Sequence, residues 1–208
     1  MQEKIEEFSF MNNKLPLTET PDDRFLAQMT KCVFQAGFNW SVIENKWDGF
    51  EAAFQNFDID ACAFLSDDAI DELAKDTHIV RNRPKIITVP GNARLIQKVR
   101  EEKGSFGKFL AGWPADNQIG LMEYLQEHGS RLGGKTGMYF LRFIGWDAFV
   151  FSKDGTAALV EAGIVDKYPL SGKGAFKKAQ DAMNTWHAES GRPYSEISRI
   201  LALSTDLK

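Results

Sequence analysis

No stretch of the 208-residue sequence approaches the ~18 consecutive apolar residues of a membrane-spanning helix, which excludes a helical membrane protein. Cysteine is scarce: Cys32 and Cys62 could pair only if the fold brings them together, and free buried thiols in a reducing compartment are the expectation. Histidine is scarcer relative to what a metal site needs. His78, His128 and His187 show no i, i+4 pairing or other ligand spacing, so no metal is expected. The sequence also lacks a basic start followed by an apolar run; MQEKIEEF is acidic, so a secretory leader is not expected and the cytoplasm is the expected compartment. Ser195 and Ser204 have no recognisable triad around them, and no base stands beside Cys32 to make it a nucleophile. Internal repeats and low-complexity stretches are absent.

What is present suits a folded, soluble chain: 43% hydrophobic, 12% aromatic and 26% charged residues, enough for one large domain or two small ones. The net charge of -4 argues weakly against a nucleic-acid partner, yet it averages over a sharp asymmetry. Residues 1 to 72 carry 5 Lys/Arg against 15 Asp/Glu, whereas residues 75 to 108 carry nine basic residues against three acids, a net of +6. That local excess admits a phosphate partner, and a solvated helix face would give the same counts.

The periodicity is helical throughout. Thr20-Pro21-Asp22-Asp23 reads as an N-cap, a first-turn Pro and two acids facing the positive helix end. Phe25, Met29, Val33 and Ala36 then recur at helical spacing until Gly37. Short helices are expected over 40–47 and 50–57, another after Ser66, and a longer one from Pro84 toward Glu102, kinked at Pro90-Gly91. Past a break at Trp113-Pro114-Ala115, helices are expected near 119–127, after residue 137, after residue 154, over 174–189 and over 194–204. Met138, Phe140, Leu141, Phe143 and Ile144 make the second of these apolar around most of its surface, which implies burial. The fold class is all-α: two helical lobes, roughly 20–113 and 114–208, with a cleft between them.

Leu132-Gly133-Gly134-Lys135-Thr136-Gly137 is the most informative local feature. Three glycines in a turn that opens a helix offer unpaired N–H groups to an anion, a phosphate above all; a tight helix-helix connection would need the same glycines. It is not a Walker loop, whose glycines are wider apart and follow a strand.

With its apolar helix and the Asp154 that follows, LGGKTG is similar to the helix-hairpin-helix DNA glycosylase superfamily. Three stretches of the first half narrow the likeness. Phe34-Gln35-Ala36-Gly37-Phe38-Asn39-Trp40-Ser41, the run from Phe50 to Asp58, and Ile79 to Ile86 with Gly91-Asn92-Ala93-Arg94 resemble, in order and spacing, the DNA-3-methyladenine glycosylase I family over about residues 20 to 160. The resemblance implies a single helix-hairpin-helix domain over 1–208, a helix-hairpin-helix motif, and double-stranded DNA containing alkylated bases as partner. It implies a monomer with no cofactor that excises 3-methyladenine. Trp40, with Cys32 and Phe34, falls in the base pocket; Phe38 becomes a wedge for the gap left by the flipped nucleotide; and Gly133, Gly134, Lys135, Thr136 and Gly137 grip phosphate, with Arg81 and Arg83 near a second contact. Two departures matter. Residues matching the family's zinc ligands near the termini are missing, and Cys32 stands where the family has a pocket Glu.

A glycosylase must extrude its target and hold the base between aromatic walls, and an N3-methylated adenine is cationic and leaves readily. A carboxylate near the anomeric carbon then stabilises the oxocarbenium-like sugar, and Asp154 is the candidate. The same Asp also fits a helix N-cap. Two other functions stay open: a bifunctional glycosylase/lyase using Lys135 as Schiff-base nucleophile, and a non-catalytic module that binds damaged DNA.

Overall fold

Helix α1 (Asp22–Gln35) runs through the middle of the molecule with Phe25, Leu26, Met29, Val33 and Phe34 buried. The computed structural model describes residues 15–204. Thr20 does not cap α1 as expected. Its hydroxyl donates backwards to the Pro16 carbonyl at 3.1 Å, and no side chain caps the first turn of α1. The Asp22 carboxylate accepts the Phe106 N–H at 2.9 Å and ties α1 to helix α8 (Phe106–Ala111); burial raises its pKa. The 3-10 turn Leu17–Glu19 lies so close to α8 that a Cβ on Gly107 would sit 1.9 Å from the Leu17 carbonyl oxygen.

The short helices after α1 are α2 (Trp40–Asn45) and α3 (Trp47–Ala53), followed by a 3-10 turn, Gln55–Phe57. Helix α4 (Ile59–Ala63) is too short to show periodicity in sequence; Asp58 starts it by accepting the Ala61 N–H at 2.7 Å. Ser66 caps α5 (Asp67–Leu73). The long helix expected from Pro84 is two helices, α6 (Arg83–Ile86) and α7 (Thr88–Lys103). The break falls at Ile87, so Pro90 lies in the first turn of α7, where its missing N–H costs nothing and no kink follows.

In the second half, α9 (Gln118–His128) and α10 (Gly134–Ile144) form a hairpin. Its entry is held by Asn117, which accepts the Gly120 N–H at 3.1 Å, and by Gln180 of α12 (Lys173–Ser190), which accepts the Ile119 N–H at 2.7 Å. After α10 an extended buried segment, 146–151, runs to α11 (Lys153–Glu161) without a neighbouring strand. The buried Gln118 amide takes the place of one: it accepts from Phe149 N–H and donates to Phe149 C=O, both at 2.8 Å. Asp147 then caps α13 (Tyr194–Ser204) through the Tyr194 and Ser195 amides, both at 2.9 Å.

The described residues are all-helical apart from turns and extended connections, and no helix among them is long and apolar enough to cross a membrane. Buried side chains of both halves belong to one hydrophobic cluster, and α1 packs on α10 across the seam between them. Two cavities open along that seam.

Candidate active site

Gly37, at φ +83°, turns the chain out of α1 and Asn39 starts α2 by accepting the Ser41 N–H at 3.0 Å, which leaves Trp40 at the seam. Facing it, α10 presents Thr136, Tyr139 and Phe143 at helical spacing. The Trp40 ring stands edge-on to Tyr139 (6.0 Å, 89°) and Phe143 (5.8 Å, 83°). With Cys32, Gln35 and Ala36 of the α1 end, these side chains line a cavity of about 140 Å³. Trp40 keeps 46% of its surface exposed, so the aromatic wall opens outward.

The structure places Cys32 and Trp40 on one cavity and Phe34 elsewhere. Phe34 is fully buried with its ring 4.7 Å from Phe50, because its position on α1 points into the core and away from the seam. Cys32 Sγ accepts a hydrogen bond from Gln28 Nε2 at 3.4 Å. Neither a carboxylate nor an imidazole lines the cavity.

A second cavity of about 550 Å³ shares Ala36 and Thr136 with the first and is lined by Lys85, Gln126, Arg131, Gly133 and Gly134. Its basic character comes from two residues. Lys85 is only 6% exposed; its ammonium donates to the carbonyls of Val33 (2.7 Å), Phe34 (3.1 Å) and Ala36, the open end of α1. Desolvation and the nearby Arg131 push its pKa down, while the negative helix end keeps the cation in place. Arg131 has φ +59°, a left-handed conformation that costs a non-glycine residue roughly 1–2 kcal/mol, at the tip of the hairpin. Gly134 (φ +58°) opens α10 with free space where a Cβ would go, whereas a Cβ on Gly137 would meet the Leu132 carbonyl oxygen at 2.3 Å. The tight return of the hairpin therefore depends on Gly137. Thr136 borders both cavities. Lys135 lines neither: its Nζ donates to Tyr168 Oη at 2.9 Å on an exposed face.

Phe38 stands exposed beyond Gly37 with the Lys85 ammonium 4.6 Å from its ring centre. The basic excess over 75–108 is largely spent within the protein: Arg83 pairs with Asp71 at 2.6 Å, Arg100 with Asp60 and Lys75 with Glu72, and Arg94 donates to the Ala63 carbonyl. Arg81 remains exposed and is the stronger of the two arginine candidates for a phosphate.

Asp154 is exposed in the first turn of α11 and lines neither cavity. It does not cap the helix. Ser152 does, with its Oγ accepting the Gly155 N–H at 3.0 Å, so the carboxylate is not engaged as a cap. Cys62 lies apart from the site; burial pushes its thiol up to about 12, and it donates to the Phe54 carbonyl. Among the described residues no three His, Cys, Asp or Glu side chains converge as metal ligands.

The sequence matches the model of the methyladenine glycosylase family over residues 10–131, more than half of the chain. The chain belongs to the methyladenine glycosylase family. Within it, DNA-3-methyladenine glycosylase 1 of Escherichia coli is 26% identical over 102 residues, which cover 49% of this chain and 54% of that protein. The chain thus matches about half the length of this curated relative. The Staphylococcus aureus 3-methyladenine DNA glycosylase I structure is 24% identical with a TM-score of 0.56, covering 64% of this chain and 79% of that one. The Methanocaldococcus jannaschii 8-oxoguanine glycosylase/lyase, solved with DNA containing 8-oxoguanine, shares only 14% identity at a TM-score of 0.55 yet covers 100% of this chain and 89% of its own. These structures establish a shared glycosylase fold. The methyladenine glycosylase match ends at residue 131, so the α10 wall of the cavity lies beyond it.

Sequence reasoning missed Lys85, Arg131, Gln35, Tyr139 and Phe143. A signal existed for Lys85, which in the sequence falls at helical spacing with Val89, Ala93 and Ile96, all buried, although it belongs to α6 and they to α7. None existed for Tyr139 and Phe143, because a helix apolar around most of its surface does not reveal which side borders a cavity.

Proposed function

We propose that this chain is a base-excision DNA glycosylase that flips an alkylated purine, 3-methyladenine foremost, from duplex DNA and hydrolyses its N-glycosidic bond as a cofactor-independent single domain and monomer. The observation that carries the reading is the pair of adjoining cavities, one walled by aromatic rings and the other by Lys85, Arg131 and the hairpin. A flipped nucleotide needs both environments at once. Its base enters the aromatic cavity, where Trp40, Tyr139 and Phe143 attract a cationic purine through their ring faces. Its phosphates lie along the basic cavity, where Gly133 and Gly134 bring backbone N–H groups to the surface. Phe38 fills the vacated stack, and Arg81 meets a phosphate on the flank.

Because the alkylated base departs as a good leaving group, the enzyme's task is at the sugar. Asp154, exposed and uncommitted to capping, is the carboxylate assigned to stabilise the developing charge and orient the attacking water. The lyase alternative has less support because the Lys135 ammonium is already engaged by a hydrogen bond to Tyr168 Oη.

The deciding experiment is single-turnover release of free base from methylated duplex DNA. Binding to damaged DNA without any release would make the protein a damage-binding module and overturn the hydrolase reading. Trp40→Ala is expected to weaken capture of the flipped base by roughly 1–3 kcal/mol, a loss of about 5- to 150-fold in apparent affinity for lesion DNA, with undamaged duplex bound as before. Gly137→Ala should act without regard to the base. By driving the hairpin apart it should weaken binding to undamaged and alkylated duplexes alike, since phosphate contacts carry no base information; a loss confined to alkylated DNA in a fluorescence-anisotropy titration would refute that role.

A further inference from the structure

The extended segment 146–151 leads from the end of α10 to the start of α11, and a small buried network fixes its path. Arg142 of α10 donates through Nε to the Ala148 carbonyl at 2.8 Å and through Nη2 to Ser198 Oγ of α13 at 3.0 Å. The same hydroxyl accepts the Val150 N–H at 3.0 Å and donates to the Val150 carbonyl at 3.4 Å. Ser198 is buried, and its hydroxyl has both lone pairs and its proton in use. One turn further along α13, Ala202 lies on the same face as Ser198. A Cβ on Gly155, the residue after Asp154, would stand 3.9 Å from the Ala202 nitrogen and 3.8 Å from the Val150 carbonyl oxygen. The helix that holds Val150 through a hydroxyl therefore also backs the first turn of α11. At the other end of the network, Arg142 springs from the same helix as Tyr139 and Phe143, which wall the aromatic cavity.

Apolar packing would join α10, α11 and α13 as firmly, but it tolerates sliding. A buried guanidinium and hydroxyl recover their desolvation only where donors and acceptors meet, so the network admits one register. We infer that Arg142 and Ser198 are positioning residues for catalysis: they hold Asp154 at the distance from the aromatic wall that a flipped nucleotide requires, with its base against the wall and its sugar beside the carboxylate. The inference rests on the glycosylase reading above, and on Asp154 within it. Both residues act through the placement of Asp154 and not on the base or the sugar. The whole network lies past residue 131, outside the stretch matched by the methyladenine glycosylase model.

The test compares the full chain with Ser198→Ala and Arg142→Lys, each alone and combined with Asp154→Asn. The lysine keeps the charge but cannot bridge Ala148 and Ser198 with a planar fork, and it carries the test if Ser198→Ala does not fold. Three readouts are taken below the melting transition of each variant: the single-turnover rate of 3-methyladenine release from methylated duplex, the affinity for a duplex carrying a stable abasic-site analogue, and calorimetric binding of free 3-methyladenine. Each single variant should slow release by about 10- to 100-fold, because a misplacement on the order of 1 Å costs that much where orientation governs the reaction. Both affinities should stay within about twofold of the parent, since the residues that wall the cavity and form the hairpin are unchanged. In the Asp154→Asn background neither substitution should slow release further, because residues acting through one group are not additive. A merely structural role would weaken binding together with the rate and would add to the effect of Asp154→Asn. That result, or parental release by a folded variant, overturns the inference and leaves the glycosylase reading intact. Parental release by Asp154→Asn removes the Asp154 assignment and the inference with it, and a parent that releases no base removes the glycosylase reading on which both rest.

Discussion

Asp154→Asn should slow base release by roughly 10- to 1,000-fold while leaving the fold and duplex binding intact, the loss expected when one electrostatic contact to a developing sugar cation is removed. The departing base carries part of the driving force itself, which is why abolition is not expected. Ser152 supplies the cap of α11, so the amide substitution changes the charge near the DNA and leaves the Ser152 cap bond to Gly155 in place. Single-turnover release of 3-methyladenine, measured beside a thermal melt, checks it. Full activity at parental stability would show that the Asp154 carboxylate takes no part in catalysis.

Lys85→Met should have the largest effect on stability. The methionine fills similar space but leaves the carbonyls of Val33, Phe34 and Ala36 without their donor in a buried setting. Each orphaned group costs on the order of 1–3 kcal/mol, and partial relaxation of the helix end should hold the total near ~3 kcal/mol. In a chain of this size that is roughly a 6–12 °C fall in melting temperature. Lesion capture should fail too, because the same helix end sets Gln35, Ala36 and Phe38 in place. An unchanged melting temperature would show that the ammonium is not what closes α1. Lys85→Arg should rescue little, since a planar guanidinium cannot direct three donors at carbonyls clustered around one point.

The helices are legible because their apolar positions recur at about 3.6 residues, as at Phe25, Met29 and Val33. Where local chemistry offered two answers, the tertiary structure chose. Thr20 and Asp154 both have capping side chains at plausible places, yet Thr20 donates to a preceding turn and Ser152 caps in place of Asp154. Pro90 looked like a kink because the preceding break, at Ile87, carries no sequence mark. The site divides the same way. Trp40 and the hairpin glycines stand in recognisable motifs, whereas Tyr139 and Phe143 are seen to border a cavity only in the folded chain. Phe34, adjacent in sequence to the pocket residues, faces the core because one step along a helix rotates a side chain by about 100°.

The aromatic cavity has one wall on α1 and α2 and the other on α10, and neither set of helices encloses it alone. Its volume consequently exists only while the hairpin helix stays docked. A free purine that occupies it acts as a clamp across that joint, and mass action converts its occupancy into resistance of the joint to opening. Hydrogen exchange along α10, rather than global melting, is where such a clamp would register first, and a slow-leaving product base would hold the two halves of the molecule together until it escapes.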